Sequence, residues 1–195
     1  MLLLENHSKG ALLLDEPEEA ALVRRCQAGD AEAFRILVEA YRNTLFGVAF
    51  LMTHDRPAAE DAVQGGLVQV WRCLPSLRGP SKVKPWLIRI VVNEVKQQFR
   101  MKHVPVAPLE AAADIPDETD LPEQKVISAE RRQTIRRALS KLPPEQREAV
   151  VLRYYSGLTV PEIGGTTGQP QGTVKSRLHR ALAHLGKELG YEGLR

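Results

Sequence analysis

The chain has 195 residues, 43% hydrophobic but only 5% aromatic, and 27 Lys and Arg against 24 Asp and Glu leave a net charge of +3. That length suits two small domains, and the abundance of Leu, Ala, Val, Glu and Arg favours helices over sheets, so an all-α protein is expected. Met1-Leu2-Leu3-Leu4 is broken by Glu5 and Asn6 and nothing later approaches the roughly 20 apolar residues of a membrane span, which points to a soluble, cytoplasmic protein.

Residues 1–16 are sparsely apolar and read as a disordered start. Pro17, Glu18 and Glu19 open an amphipathic run that ends near Gly29, and Asp30 is placed to cap a second helix. In that helix Phe34, Leu37, Val38, Tyr41 and Leu45 recur at helical spacing and are expected in the core. Pro57 begins a third helix, with Glu60 and Asp61 near its positive end and Val63, Leu67, Val70 and Trp71 as its apolar stripe. Leu74-Pro75-Ser76-Leu77-Arg78-Gly79-Pro80 is a turn-rich basic loop, and a fourth helix is expected from about Pro85 to Arg100.

On that fourth helix Arg89, Lys96 and Arg100 are available to a phosphate backbone. A basic loop beside a helix that carries Trp86 suits unstacked bases, because each base stacked on a ring is worth roughly 1 to 3 kcal/mol. Plain core packing is the stronger reading for Trp71 and Trp86 themselves. Residues 103–128, with four prolines before Glu123, read as a flexible acidic linker. Beyond it, Thr159 can cap a short helix, Gly168 can end it in the left-handed conformation, and Thr173 opens a second helix bearing Lys175, Arg177 and Arg180. This is the order of a DNA-reading helix-turn-helix, whose second helix enters a major groove.

The charge is laid out in blocks. Residues 1–71 carry a net −5, residues 72–102 +7, residues 103–130 −6 and residues 131–195 +7. Two basic blocks around an acidic spacer fit a chain that touches nucleic acid at two places and avoids it between them. Cys26 and Cys73 stand apart with no zinc spacing and are expected as buried, reduced thiols; neither a metal nor any other cofactor is expected. His179 and His184 are five apart and do not share a helix face, which disfavours a metal pair. No catalytic constellation or phosphate-binding glycine loop emerges, so the chain reads as a non-enzyme with no small-molecule substrate.

Five motifs in sequence carry a resemblance. They are Gln27-Ala28-Gly29-Asp30-Ala31-Glu32-Ala33-Phe34; Ala59-Glu60-Asp61-Ala62-Val63-Gln64 with Val70-Trp71-Arg72; Pro85-Trp86-Leu87-Ile88-Arg89-Ile90 with Asn93; Leu142-Pro143-Pro144-Glu145-Gln146-Arg147; and Gly172-Thr173-Val174-Lys175-Ser176-Arg177-Leu178. From Ala20 to Leu185 the chain resembles the extracytoplasmic-function sigma factors, two-domain bacterial transcription initiation factors. The resemblance implies a sigma-2-like domain over residues 17–102 and a sigma-4-like domain over residues 129–190. It implies that Asp61, Gln64, Gln69 and Trp71 meet core RNA polymerase. The loop from Leu74 to Lys84, with Arg78, Lys82 and Lys84, together with Trp86, Arg89, Asn93, Lys96 and Arg100, would capture melted minus-10 promoter DNA. Thr173, Ser176, His179 and Arg180 would face minus-35 bases, and Lys175 and Arg177 phosphates. A membrane-bound anti-sigma factor is the implied regulator.

The chain departs from the family pattern at Gly65-Gly66 in the polymerase-binding helix, at Gly164-Gly165 in the first helix of the helix-turn-helix, and at Gln97. The first pair is expected to weaken the polymerase interface or bend its helix; Pro80 and Pro85 stiffen the loop for the flipped base. An ordinary helix-turn-helix regulator with a ligand-binding or dimerising first domain is the alternative, and the basic block from Arg72 to Lys102 argues against it. A sigma-like protein that no longer initiates is a third reading, supported only by the glycine pairs.

Overall fold

In the computed structural model of the chain the residues described are 15–79, 83–101 and 122–190, apart from the side chains of residues 122–129. All the regular structure among them is helical. Helix α1 (Glu16–Gln27) starts with a capping box: the Glu18 amide donates to Asp15 Oδ1 at 2.8 Å, and the Asp15 amide donates to Glu18 Oε2 at 3.2 Å. Helix α2 (Ala31–Thr53) is capped by Asp30, whose Oδ1 accepts from the Ala33 amide at 3.0 Å. It ends at His54 in the left-handed region with φ 54°.

Helix α3 (Arg56–Cys73) is capped by Asp55. The acidic group at its N-terminus is therefore Asp55 and not Glu60, which instead pairs with Arg56 at 2.8 Å. A 3₁₀ turn (Leu74–Ser76) follows, held by the Gln27 amide, which donates to the carbonyls of Leu74 and Leu77 at 3.1 and 2.9 Å. Helix α4 spans Val83–Met101, two residues earlier than expected, because a proline is tolerated in the first turn, where its missing N–H would have no partner. Leu37, Leu45, Phe50, Val70, Leu87, Ile88 and Val91 bury themselves between these four helices.

Helix α5 (Pro122–Ser140) occupies the last part of the expected linker, with Pro122 at its first position, where the fixed φ of proline suits a helix start. Residues 1–14, 80–82 and 102–121, on which the expectations of a disordered start, a stiff loop tip and a flexible spacer mainly fall, lie outside the described residues. Helix α6 (Pro144–Val150) runs into a π-helical turn (Val151–Tyr155). Helix α7 (Val160–Thr167) has the expected Thr159 cap, completed as a capping box by Glu162, and the expected left-handed Gly168 at φ 71°. Helix α8 (Gln171–Glu188) opens two residues before Thr173, since Pro170 supplies an extended backbone and a carbonyl for the Val174 amide at 3.1 Å.

Helix α3 passes unbroken through Gly65-Gly66. A Cβ on Gly66 would stand 3.0 Å from Val91 Cγ2, and one on Gly164 would stand 2.9 Å from the Gln169 carbonyl, so one glycine of each pair permits a close approach. Gly165 faces open space, and nothing in the structure explains it. Cys26 is buried as expected, whereas Cys73 is exposed, because the neighbouring Leu74 takes the core position at the end of α3.

The buried residues of both halves form one continuous cluster, so the second set of helices packs directly on the first. His54 sits at this seam; burial, then the charges of Arg147 and Arg136, push its imidazole down to about 4 from 6.5. Between those pH values the unfolded chain binds a proton that the folded chain refuses, so stability is kept above pH 6.5 and drains as pH falls toward 4. His54→Asn, which tolerates the left-handed backbone, should narrow the loss in unfolding free energy between pH 7 and 4.5 by about 2 kcal/mol relative to the parent, as read by urea titration. Equal losses in the two proteins would refute the assignment.

Candidate nucleic-acid interface

Helix α4 turns Val83, Leu87, Ile88, Val91, Val92 and Val95 into the core. At about 100° per residue that phase leaves Arg89, Asn93, Lys96 and Arg100 on one outward stripe, some 16 Å long at 1.5 Å per residue. Arg89, Asn93 and Arg100 are exposed. Lys96 is half-buried and pairs at 2.6 Å with Glu148 of α6, a carboxylate that is itself buried. Trp86 lies at the top of the stripe but packs partly against the core. Arg78 is exposed after the 3₁₀ turn, Lys84 is half-buried in the first turn of α4, and Lys82 lies outside the described residues. Gln27, which sequence reasoning quoted only within a motif, ties down the start of this loop through its two carbonyl bonds.

The second cationic element is α8. Val174, Leu178, Ala181 and Leu185 recur at helical spacing and anchor it. Lys175, His179 and Arg180 are exposed on the far side, with Thr173 and Ser176 half-buried beside them. Ser176 Oγ donates to the Thr173 carbonyl at 3.0 Å, and Arg180 Nη2 approaches Ser176 Oγ at 3.4 Å. Arg177 is rotated toward the seam, where it lines a cavity of about 760 Å³ together with Met52, Lys96, Phe99 and Arg100.

On α3, Asp61, Gln64, Val68 and Trp71 form an outward stripe at i, i+3, i+7 and i+10, while Gln69 lies roughly 100° round the helix from Val68. Trp71 is 43% exposed, so core packing does not account for it; its ring meets Phe34 edge-on at 4.8 Å. Val68, 47% exposed, is a surface residue that sequence reasoning missed, and its position out of phase with Val63, Leu67 and Val70 was the available signal. Among the described residues no three His, Cys, Asp or Glu side chains come together as a metal site, and no helix is long and apolar enough to cross a membrane.

Comparison with known proteins gives this arrangement a family. Residues 37–103 match the model of Sigma-70 region 2, and residues 132–185 match that of Sigma-70 region 4. The RNA polymerase sigma-H factor of Pseudomonas aeruginosa is 30% identical over 186 residues, which cover 91% of this chain and 96% of that protein. The ECF RNA polymerase sigma factor SigM of Mycobacterium tuberculosis is 36% identical over 177 residues, covering 90% of this chain and 87% of the relative. Among solved structures, CnrH in complex with the cytosolic domain of CnrY superposes with a TM-score of 0.66 at 23% identity, covering 92% of this chain and all of CnrH. RpoE from Bartonella quintana, in complex with the anti-sigma factor NepR, gives 0.61 at 24% identity, over 91% of this chain and 97% of that one; both likenesses concern the fold. With both sigma regions matched in order and relatives aligned along nearly the whole length, the chain belongs to the extracytoplasmic-function sigma factors of RNA polymerase, a non-enzymatic family of transcription initiation factors.

Proposed function

We propose that the α3 stripe of Asp61, Gln64 and Trp71, with Gln69 beside it, binds core RNA polymerase. In the same reading Arg78, Lys82, Lys84, Trp86 and the α4 stripe hold melted minus-10 DNA, and α8 reads the minus-35 element through Thr173, Ser176, His179 and Arg180. Lys175 and Arg177 contact its phosphates. The first domain is residues 17–102 and the second 129–190. The observation that carries this reading is the pair of cationic faces on separate elements, α4 and α8, each opposite a buried apolar stripe. DNA opening needs no catalytic group here, because binding energy for unstacked bases offsets the cost of melting. Match of the first domain to Sigma-70 region 2 sets aside a ligand-sensing or dimerising role for it.

Run-off transcription with purified core polymerase tests the whole reading: absence of product from every promoter tried, together with absence of binding to core, would sink it. Trp71→Ala should weaken binding to core by about 30-fold, as expected when an exposed aromatic anchor is removed, while leaving thermal stability nearly unchanged. An unchanged affinity would remove Trp71 from the interface. We further propose a cytoplasmic location and control by an anti-sigma protein anchored in the membrane; the Bartonella RpoE was solved with the anti-sigma factor NepR, and CnrH with the cytosolic domain of CnrY. A neighbouring gene for a one-span membrane protein that binds this chain would bear this out.

A further inference from the structure

We propose that Glu94 of α4 supplies a carboxylate to the polymerase-binding face of α3 through the gap at Gly65, and that it pairs there with a lysine or arginine of core RNA polymerase, a role that rests on the assignment of that face made above. Glycine is a poor residue for a helix interior, yet Gly65 and Gly66 stand together in the middle of the 18-residue helix α3, and neither has the positive φ that would require it. Their use is spatial. The missing side chain of Gly66 lets α4 come close, with Val91 Cγ2 3.0 Å from where its Cβ would lie. One turn further along α4, Glu94 reaches over Gly65. A Cβ at position 65 would stand 3.3 Å from Glu94 Oε2 and 3.7 Å from its Cδ, and among the described residues no other group from outside α3 comes within 4 Å of it. The carboxylate therefore lies where a side chain of α3 would otherwise be.

Gly65 lies one turn after Asp61 and one turn before Gln69, two exposed residues of the proposed polymerase face, so the Glu94 carboxylate comes to the edge of that face. On its own helix Glu94 is roughly 100° round from Asn93, away from the stripe of Arg89, Lys96 and Arg100, where a negative charge would repel phosphate.

Contacts within the chain leave this charge unmatched. Glu94 is half-buried, and among the described residues it makes no hydrogen bond and no ion pair. Positions three and four residues away on α4 are Ile90, Val91, Gln97 and Gln98, and around Gly65 on α3 they are Asp61, Ala62, Val68 and Gln69, none of them cationic. Arg72, on the same side of α3, is two turns beyond Gly65, some 10 Å along the axis. By contrast Glu32 is matched by Arg35 at 2.6 Å and Glu60 by Arg56 at 2.8 Å. Glu94 and Asp61 thus give a negative edge to a face that also exposes the apolar side chains of Val68 and Trp71. A cationic side chain of the partner placed there gains charge-assisted bonds, and the apolar contacts beside it exclude water.

The test measures binding of the full chain to purified core polymerase over a range of salt concentrations, without DNA. Glu94→Gln, which keeps the shape and removes the charge, should weaken binding about tenfold and lower its salt dependence, with thermal stability nearly unchanged. Glu94→Ala should lose as much. Adding Gly65→Glu to Glu94→Ala should bring affinity back to within about threefold of the parent, because a carboxylate then reaches the same edge directly from α3. Gly65→Gln in that background should restore nothing. Parent-like affinity and salt slope for Glu94→Gln, with Trp71→Ala still weakening binding, would overturn the role of Glu94, whereas silence of both would strike the α3 face itself. Failure of Gly65→Glu to rescue Glu94→Ala, or equal rescue by Gly65→Gln, would show that polymerase does not read a charge at this edge and would overturn the pairing.

Discussion

Arg147→Ala should lower the unfolding free energy of the second domain by about 3 to 5 kcal/mol, the largest loss expected from any single substitution here. Arg147 is 7% exposed, and its fork donates to four main-chain carbonyls: Leu139 at 3.0 Å, Ser140 at 2.8 Å, Leu142 at 3.1 Å and Met52 at 3.1 Å. Leu139 and Ser140 are the last residues of α5 and Leu142 lies in the turn that follows; a helix end leaves such carbonyls without intrahelical partners, and of these Leu139 also accepts from the Leu142 amide at 3.1 Å. The guanidinium is taken from water, and burial pulls its pKa below the usual arginine value, so the site bears a desolvation cost. Apolar replacement of buried charges is often neutral when both partners are replaced, but main-chain carbonyls cannot be removed. Arg147→Lys should keep the charge yet lose about 2 kcal/mol, because one ammonium cannot reach four carbonyls held by a planar fork. Urea unfolding, with amide exchange in α6 and α8 to isolate this domain, measures both. An Arg147→Met protein as stable as the parent would mean that desolvation outweighs the four bonds.

Much of this architecture was legible in the sequence because local chemistry and global fold agree along most of the chain. Asp30, Thr159 and Gly168 act at the ends their residue types suggest, and the periodic apolar residues of α4 and α8 are the buried ones, whereas of the five core residues expected on α2 only Leu37 and Leu45 are buried and Phe34, Val38 and Tyr41 are half-buried. What could not be read arises from contacts between distant segments. Arg147 in a surface-like Pro-Pro-Glu-Gln-Arg run gives no sign that it is buried, since its partners are carbonyls, which carry no sequence signature. Gly47 reads as a weak point in a helix until Tyr155, 108 positions away, is placed against it. Likewise the periodicity of α4 marks Lys96 as outward but cannot reveal the carboxylate that meets it there. Trp71 follows the apolar Val70 in sequence and is easily counted with its stripe, yet Val70 and Leu74 take the core positions and the ring stands on the outward stripe with Gln64 and Val68.

Arg180→Ala and Lys175→Ala should separate base reading from phosphate holding on α8. Both side chains are exposed and clear of the seam, so neither change should disturb the fold by more than about 0.5 kcal/mol. Arg180 has the fork that matches the two acceptors of a guanine edge, and its weak 3.4 Å approach to Ser176 Oγ is easily given up for a base. Its loss should cost about 1 to 3 kcal/mol, roughly 5- to 150-fold in affinity, at particular minus-35 positions and little at others. Lys175, one turn nearer the start of α8, should instead contribute equally to all sequences: its removal should lower affinity uniformly and reduce the slope of log affinity against log salt by about 0.9. Binding to a set of single-base promoter variants at several salt concentrations distinguishes the two patterns. Exchanged patterns, with Lys175 setting base preference and Arg180 the salt slope, would show that the helix enters the groove rotated from the orientation proposed.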